Sequence, residues 1–305
     1  MNTSQIPRSS VANLRAALTV EYHFIGNEDC FIENIRSIGE ADETSLVWCS
    51  PTKPNKQTLV DETSACVIIC DGSIEISEEQ KASKAFFIVD NPKLAFSRLV
   101  RSLLRLNQPR GIHPSAVVHP EAEISKTAFI GPNCTIGACK IGDHSQLHGN
   151  IHVYDDTEIG NHVVIEAGAI LGAEGFGMAK TDDGVWERFP HIGGLEIHDF
   201  VEIGAGTTID RGTLENTVIG EGTKVSKSAH ISHNVQIGKN CLITGCVSIA
   251  GSTTIGDNVW ISPNATILNK LNIGNNVFIS IGAIVTQDIK DDYQAIGRKI
   301  LPKTK

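Results

Sequence analysis

A strict six-residue period constrains this chain more than any other feature. From 219 to 285 every sixth residue is β-branched and apolar: Ile219, Val225, Ile231, Ile237, Ile243, Ile249, Ile255, Ile261, Ile267, Ile273, Ile279 and Val285. An α-helix repeats at 3.6 residues and a half-buried strand at 2, so neither accounts for this run. A hexapeptide repeat implies a parallel β-helix, one short strand and one tight turn per hexapeptide. Many of the ladder residues are followed by turn formers, as in Ile237-Gly238-Lys239-Asn240 and Ile255-Gly256-Asp257-Asn258, which supply the backbone angles of sharp corners. Three hexapeptides close a triangular coil. Residues one coil apart then stack at the ~4.8 Å spacing of neighbouring strands. The expected ladders are Ile219/Ile237/Ile255/Ile273, Val225/Ile243/Ile261/Ile279 and Ile231/Ile249/Ile267/Val285.

The repeat begins earlier, at Ile112, Val118, Ile124, Ile130 and Ile136, and slips by one residue at Ile141. It resumes at Leu147, Val153, Ile159, Ile165 and Leu171, breaks over 172–195, and returns at Ile197, Ile203 and Ile209. A short irregular piece, 211–217, precedes the uninterrupted run. Insertions in a solenoid emerge as loops, often on the binding face, so 172–195 is expected to form a flap over a site. Residues 1–110 lack the period. There, Ser45-Leu46-Val47-Trp48-Cys49, 65–70 and 85–89 predict buried strands, and a short helix is expected near 11–18. Asn91-Pro92 opens a helix to Leu104 with Asn91 as N-cap. The segment 107–111 reads as a linker. The expected fold is mainly β: a small α/β N-terminal domain (1–110), a β-helix (111–290) and a short C-terminal tail (291–305).

Composition narrows the function. Aromatic residues make up 5%, which suits a core too narrow for large rings. The net charge of −9 gives no basic footprint for nucleic acid or an anionic membrane. No window nears eighteen apolar residues and the N-terminus has no apolar signal core, so a cytoplasmic protein without membrane insertion is expected. The eight cysteines contain no CxxC pair and mostly lie in apolar runs, so they read as buried free thiols. His144, His148, His152 and His162 follow no zinc spacing, so no metal is expected. Gly172–Gly177 mimics a dinucleotide fingerprint loosely but lacks the strand–turn–helix context.

Several blocks carry a resemblance: Gly111-Ile112-His113-Pro114, Gly172-Ala173-Glu174-Gly175-Phe176-Gly177, Asp210-Arg211-Gly212 and Ile231-Ser232-His233-Asn234. Over roughly 35–290 the chain resembles the hexapeptide-repeat acyltransferases, in particular the UDP-3-O-acylglucosamine N-acyltransferases of lipid A synthesis. The resemblance implies a left-handed parallel β-helix, a nucleotide-binding N-terminal domain, and a homotrimer with sites in the clefts between subunits. It assigns His233 as catalytic base; imidazole titrates in the range needed to take a proton from an attacking amine. It assigns the Gly251 N–H as an oxyanion donor. Trp48, Phe176, Asn234 and His230 are expected to contact substrate, and Lys270 stands where the family has a second histidine beside the donor.

Three departures from the family pattern shape the expected function. Ser226 and Lys227 replace the Asp-Asn pair that supplies the histidine's carboxylate partner. The uracil-stacking motif is blurred around Trp48. The family's C-terminal helices are absent from a chain that stops at Lys305. The expectation is therefore an N-acyltransferase that uses a short acyl-CoA and a nucleotide-linked amino sugar for surface polysaccharide (O-antigen or capsule). The alternative is the lipid A reaction with a 3-hydroxyacyl carrier protein. A non-catalytic hexapeptide scaffold is a third reading, and the same base could serve an O-acyltransferase.

Overall fold

The computed structural model describes residues 5–104, 110–297 and 299–302, so most of the expected linker lies outside the described residues. The chain divides into two compact units, Met1–Gln108 and Pro109–Lys305.

The first unit is built on a six-stranded mixed sheet. Its strands are β1 (Gln5–Ser10), β2 (His23–Gly26), β3 (Phe31–Ile35), β4 (Ser45–Trp48), β5 (Val67–Cys70) and β6 (Ala85–Ile88), in the order β1-β3-β4-β5-β6-β2. The central strands β3 to β6 run parallel. Parallel strands are covered on both faces, which is why β4 and β5 read as unbroken apolar runs. Leu46, Val67, Ile69 and Phe87 face one cluster with Leu14 and Leu99, while Val47, Ile68, Cys70 and Phe86 face the other with Val60. Leu14 belongs to α1 (Val11–Ala17), Val60 to α2 (Lys56–Glu62) and Leu99 to α3 (Pro92–Leu104). The Asn91 side chain accepts the Leu94 N–H at 3.1 Å, the N-cap expected from the sequence.

The second unit is a three-faced parallel β-helix. Its ladders follow the six-residue count: Ile219 pairs with Ile237, Val225 with Ile243 and Ile231 with Ile249. The first face stacks eight strands and the third nine; the second belongs to an eleven-stranded sheet. The slip at Ile141 is absorbed at a corner, because Ile141 still pairs with Ile124. From Ile219 to Ile279, three residues after each ladder residue the chain turns through positive φ, for example at Asn234 (+59°), Asn240 (+54°) and Asn258 (+57°). Asparagine tolerates that region better than most side chains. The first-to-second corner is held by side-chain acceptors one coil away: Lys239 N–H donates to Asp257, Asp257 N–H to Asn275 and Asn275 N–H to Asp291, at 2.7–2.8 Å.

The expected C-terminal tail is partly structured. Tyr293–Ile296 continues the second face, and Lys299–Pro302 returns antiparallel against it. The cysteine expectation also needs one correction. Seven cysteines are buried, but Cys246 is exposed. It occupies a positive-φ corner position (+58°), whereas Cys134 and Cys241 fall one residue later, where side chains point into the core. Burial pushes the Cys66, Cys70 and Cys139 thiols up to about 12. Brief iodoacetamide treatment of the native protein is therefore expected to label Cys246 alone, and treatment after unfolding all eight, as read by intact mass.

Candidate active site

Every departure from six-residue spacing after Leu147 falls at the corner between the third and first faces. The segment between Leu171 and Leu195 lies there, since Leu171 pairs with Ile209 and Leu195 with Thr217. So does the longer step from Ile209 to Ile219. One coil later the same corner is Ser232-His233-Asn234, and after that Ala250-Gly251-Ser252 and Asn269-Lys270. The helix thus stacks the insertions and the candidate base along one edge.

The insertion carries an antiparallel hairpin, Met178–Lys180 with Trp186–Arg188. Arg188 meets Glu174 at 3.3 Å and ties its limbs together. Arg211 anchors its exit, donating from Nε to the Gly193 carbonyl at 2.6 Å and from Nη2 to Asp156 at 2.7 Å. The loop reaches His233 through Gly175. A Cβ there would lie 2.9 Å from both His191 Nε2 and His233 Cβ, so only glycine permits this approach. Glu174, Gly175, Phe176 and Arg188 then form one wall of a cavity of about 470 Å³, and Asp210, His230, Ser232, His233 and Gly251 form the rest.

His233 is held from one side only. Its Nδ1 lies 3.0 Å from Asn234 Oδ1. That oxygen also accepts the Thr213 N–H at 3.0 Å and the Thr213 hydroxyl, while Asn234 Nδ2 donates to the Glu215 carbonyl at 3.2 Å. The amide orientation is therefore fixed, and Nδ1 must be the protonated nitrogen. Nε2 keeps its lone pair, as a base requires. Beneath the ring lies Gly251: a Cβ there would come within 2.8 Å of Cε1 and Nε2. Among the described residues the Gly251 N–H makes no hydrogen bond.

The other expected site residues separate. His230 lines the cavity with both nitrogens occupied, Nδ1 against Thr208 Oγ1 at 2.9 Å and Nε2 against Ser232 Oγ at 3.0 Å. Phe176 is 81% exposed on the cavity wall. Asn234, expected to touch substrate, instead spends its amide on His233 and the 211–217 segment. Lys270 is exposed at the same edge, its N–H bound to the Gly251 carbonyl at 3.0 Å. Trp48 lies in the first unit, partly buried with its ring 6.2 Å from Phe96, as a core residue would be. The four histidines considered for metal include a stacked pair: His144 and His162 rings lie 5.0 Å apart, and Phe200 continues the column.

Two residues had no role assigned from sequence. His191 is buried, donates from Nδ1 to the Phe189 carbonyl at 3.0 Å, and meets the His233 ring edge-on at 5.0 Å. Burial first, and then the neighbouring His233, push its pKa down. Asp210 was visible only as part of a family block. Its carboxyl is pushed up by burial, against the pull of His230 and His233.

Replacing Asn234 by Ala is expected to cost about 1–3 kcal/mol of stability through its stranded partners. It should also slow catalysis by freeing the imidazole. Asn234→Asp retains the acceptor for Nδ1–H, so its rate should exceed that of the Ala variant. Denaturant titration and initial rates check both.

The sequence matches the bacterial transferase hexapeptide (six repeats) family model at residues 138–173 and 216–251. It is 35% identical over 234 residues to a UDP-3-O-acylglucosamine N-acyltransferase of Coxiella burnetii, covering 69% of this chain and 66% of that one. The chain thus spans just under two thirds of the length of that relative. A protein of the same name from Polynucleobacter asymbioticus is 30% identical over 240 residues, with 69% and 67% covered. Among solved structures, a Francisella novicida UDP-N-acetylglucosamine acyltransferase superimposes with a TM-score of 0.57 at 26% identity, covering 62% of this chain and 68% of that one. One from Bacteroides fragilis gives 0.56 at 28%, covering 62% and 72%. These neighbours share the left-handed parallel β-helix.

The relatives overturn the expectation of a short acyl-CoA donor and a surface-polysaccharide product, since those at 30–35% identity carry the name of the alternative reading. The physical reason is visible at His233. The carboxylate partner missing at Ser226 and Lys227 is replaced by Asn234 Oδ1, so its loss does not signal a different reaction.

Proposed function

The chain belongs to the family of UDP-3-O-acylglucosamine N-acyltransferases, and on that premise we propose that it transfers an acyl group from a thioester to the amine of a UDP-linked 3-O-acylglucosamine. The observation that carries this reading is the disposition of His233 over Gly251, with Nδ1 tied to Asn234 and Nε2 free. In the proposed reaction the amine nitrogen attacks the thioester carbonyl carbon. His233 Nε2 takes a proton from nitrogen as the C–N bond forms. The Gly251 N–H receives the oxyanion. When the C–S bond breaks, His233 returns its proton to the departing thiolate. The donor in this reading is a 3-hydroxyacyl carrier protein, and the working form is a homotrimer whose clefts complete the site. The flap at 172–195 covers the reacting groups.

The test offers the purified protein UDP-3-O-(3-hydroxyacyl)glucosamine with 3-hydroxyacyl carrier protein or the matching acyl-CoA, and follows product by mass spectrometry. Product from the carrier-protein donor is expected. Absence of N-acylated sugar with both donors would overturn the reading. Light scattering tests the trimer in the same preparation.

A further inference from the structure

Polar groups of three residues lining the cavity make no hydrogen bond to any described residue. They are the His233 Nε2 lone pair, the Gly251 N–H and the carboxylate of Asp210. Base and oxyanion donor belong to the reaction already described; the carboxylate does not. The other charged groups lining this cavity are already matched. Glu174 is paired with Arg188 at 3.3 Å. His230 has both nitrogens on hydroxyls, and His233 Nδ1 is taken by Asn234. Asp210 has neither a hydrogen bond nor an ion pair from its side chain to any described residue, and it is partly buried. Its place is fixed by the insertion, because Asp210 pairs with Ala173 across the ladder and Arg211 N–H donates to the Ala173 carbonyl at 2.8 Å. A partly desolvated carboxylate without a hydrogen-bond donor is costly in the free protein. A cationic ligand in the cavity would offset that cost.

We propose that Asp210 is the acceptor-recognition residue, binding the substrate amine as its ammonium ion and so selecting an amino sugar over its hydroxyl counterpart. This rests on the N-acyl transfer reading above. An ammonium nitrogen has no lone pair and cannot attack. One proton passes from the bound ammonium to the Asp210 carboxylate, giving the neutral amine. That amine attacks the carbonyl carbon, and His233 Nε2 takes the second proton from the resulting N–H₂⁺. His233 then protonates the leaving thiolate, and Asp210 loses its proton to solvent as the amide departs. One ammonium and one thioester thus give one amide, one thiol and one released proton. Burial, which disfavours the charged carboxylate, makes Asp210 a better proton acceptor than an exposed aspartate. Glu174, Arg188, His230 and His233 are the titratable groups that face it.

The test compares wild type with Asp210→Asn, which keeps the shape and removes the charge. Calorimetry below the pKa of the sugar amine measures binding of UDP-3-O-(3-hydroxyacyl)glucosamine and of its glucose analogue, which carries a hydroxyl at the acceptor position. Wild type is expected to prefer the amine by about tenfold or more, the scale of a partly desolvated charge pair. The variant should bind both alike, with its affinity for the glucose analogue unchanged. Its KM for the amine should rise, and the deficit should shrink as pH rises and the amine arrives neutral. Asp210→Glu should retain the preference. The proposal is overturned if Asp210→Asn still prefers the amine, if wild type has no preference, or if the rate loss is the same at every pH. Wild type that does not N-acylate the amino sugar would instead defeat the underlying reading, so the two failures are distinct. Thermal melting controls for folding, and Asp210→Asn should melt no lower than wild type because it removes an unpaired, partly buried charge.

Discussion

His233→Ala is expected to lower kcat for acyl transfer by about 10²–10⁴-fold, the range a positioned base contributes, with little change in melting temperature. The imidazole lies at a corner and contributes nothing to the apolar ladders, whose members Ile231 and Ile237 flank it. Its loss frees Asn234 Oδ1 of one donor but leaves that oxygen bound to Thr213. Initial rates and a melting curve on the same preparation check both halves. A variant with full activity would remove His233 from the chemistry.

Gly251→Ala is the second large effect. The added Cβ would sit 2.8 Å from His233 Cε1 and Nε2 and 3.2 Å from Nδ1, so the imidazole must leave its place. Gly251 does not have the positive φ of the corner glycines, so alanine fits its backbone without conformational strain. The perturbation is thus directed at the His233 imidazole rather than at the fold. A displacement of about 1 Å can cost ~10²-fold in rate, and a loss of that order in kcat is expected with near-normal stability. Rates comparable to wild type would mean that the imidazole does not work from over this glycine.

The ladders were legible because a β-helix writes its core as a period, and each pairing in the uninterrupted run can be counted. The N-cap at Asn91 and the buried strands of the first unit were legible for similar local reasons. The corner chemistry was not. Asn234 contacts Thr213 and Glu215 across an irregular step, where counting by six no longer says which side chains face each other. His191 reaches His233 only because the insertion folds back through Gly175. Asp210 is adjacent in sequence to a structural arginine, and nothing local distinguishes a paired aspartate from an unpaired one. Trp48 illustrates the opposite limit: an aromatic in a strand suits a base-stacking platform as well as a core, and the contact with Phe96 favours the core.

The stacked edge also works as a ruler. Thr213, His233, Gly251 and Lys270 stand on successive coils, and each coil advances by one interstrand spacing of ~4.8 Å. The height of His233 above Gly251 is therefore one graduation, set by backbone hydrogen bonds such as Ser252 N–H to the His233 carbonyl at 2.9 Å. Side-chain packing can tilt the imidazole but cannot change that increment. Moving Gly251 by a fraction of a graduation is not available to this scaffold. Adjustment of the chemistry is left to what each corner carries, either a different side chain or a longer loop.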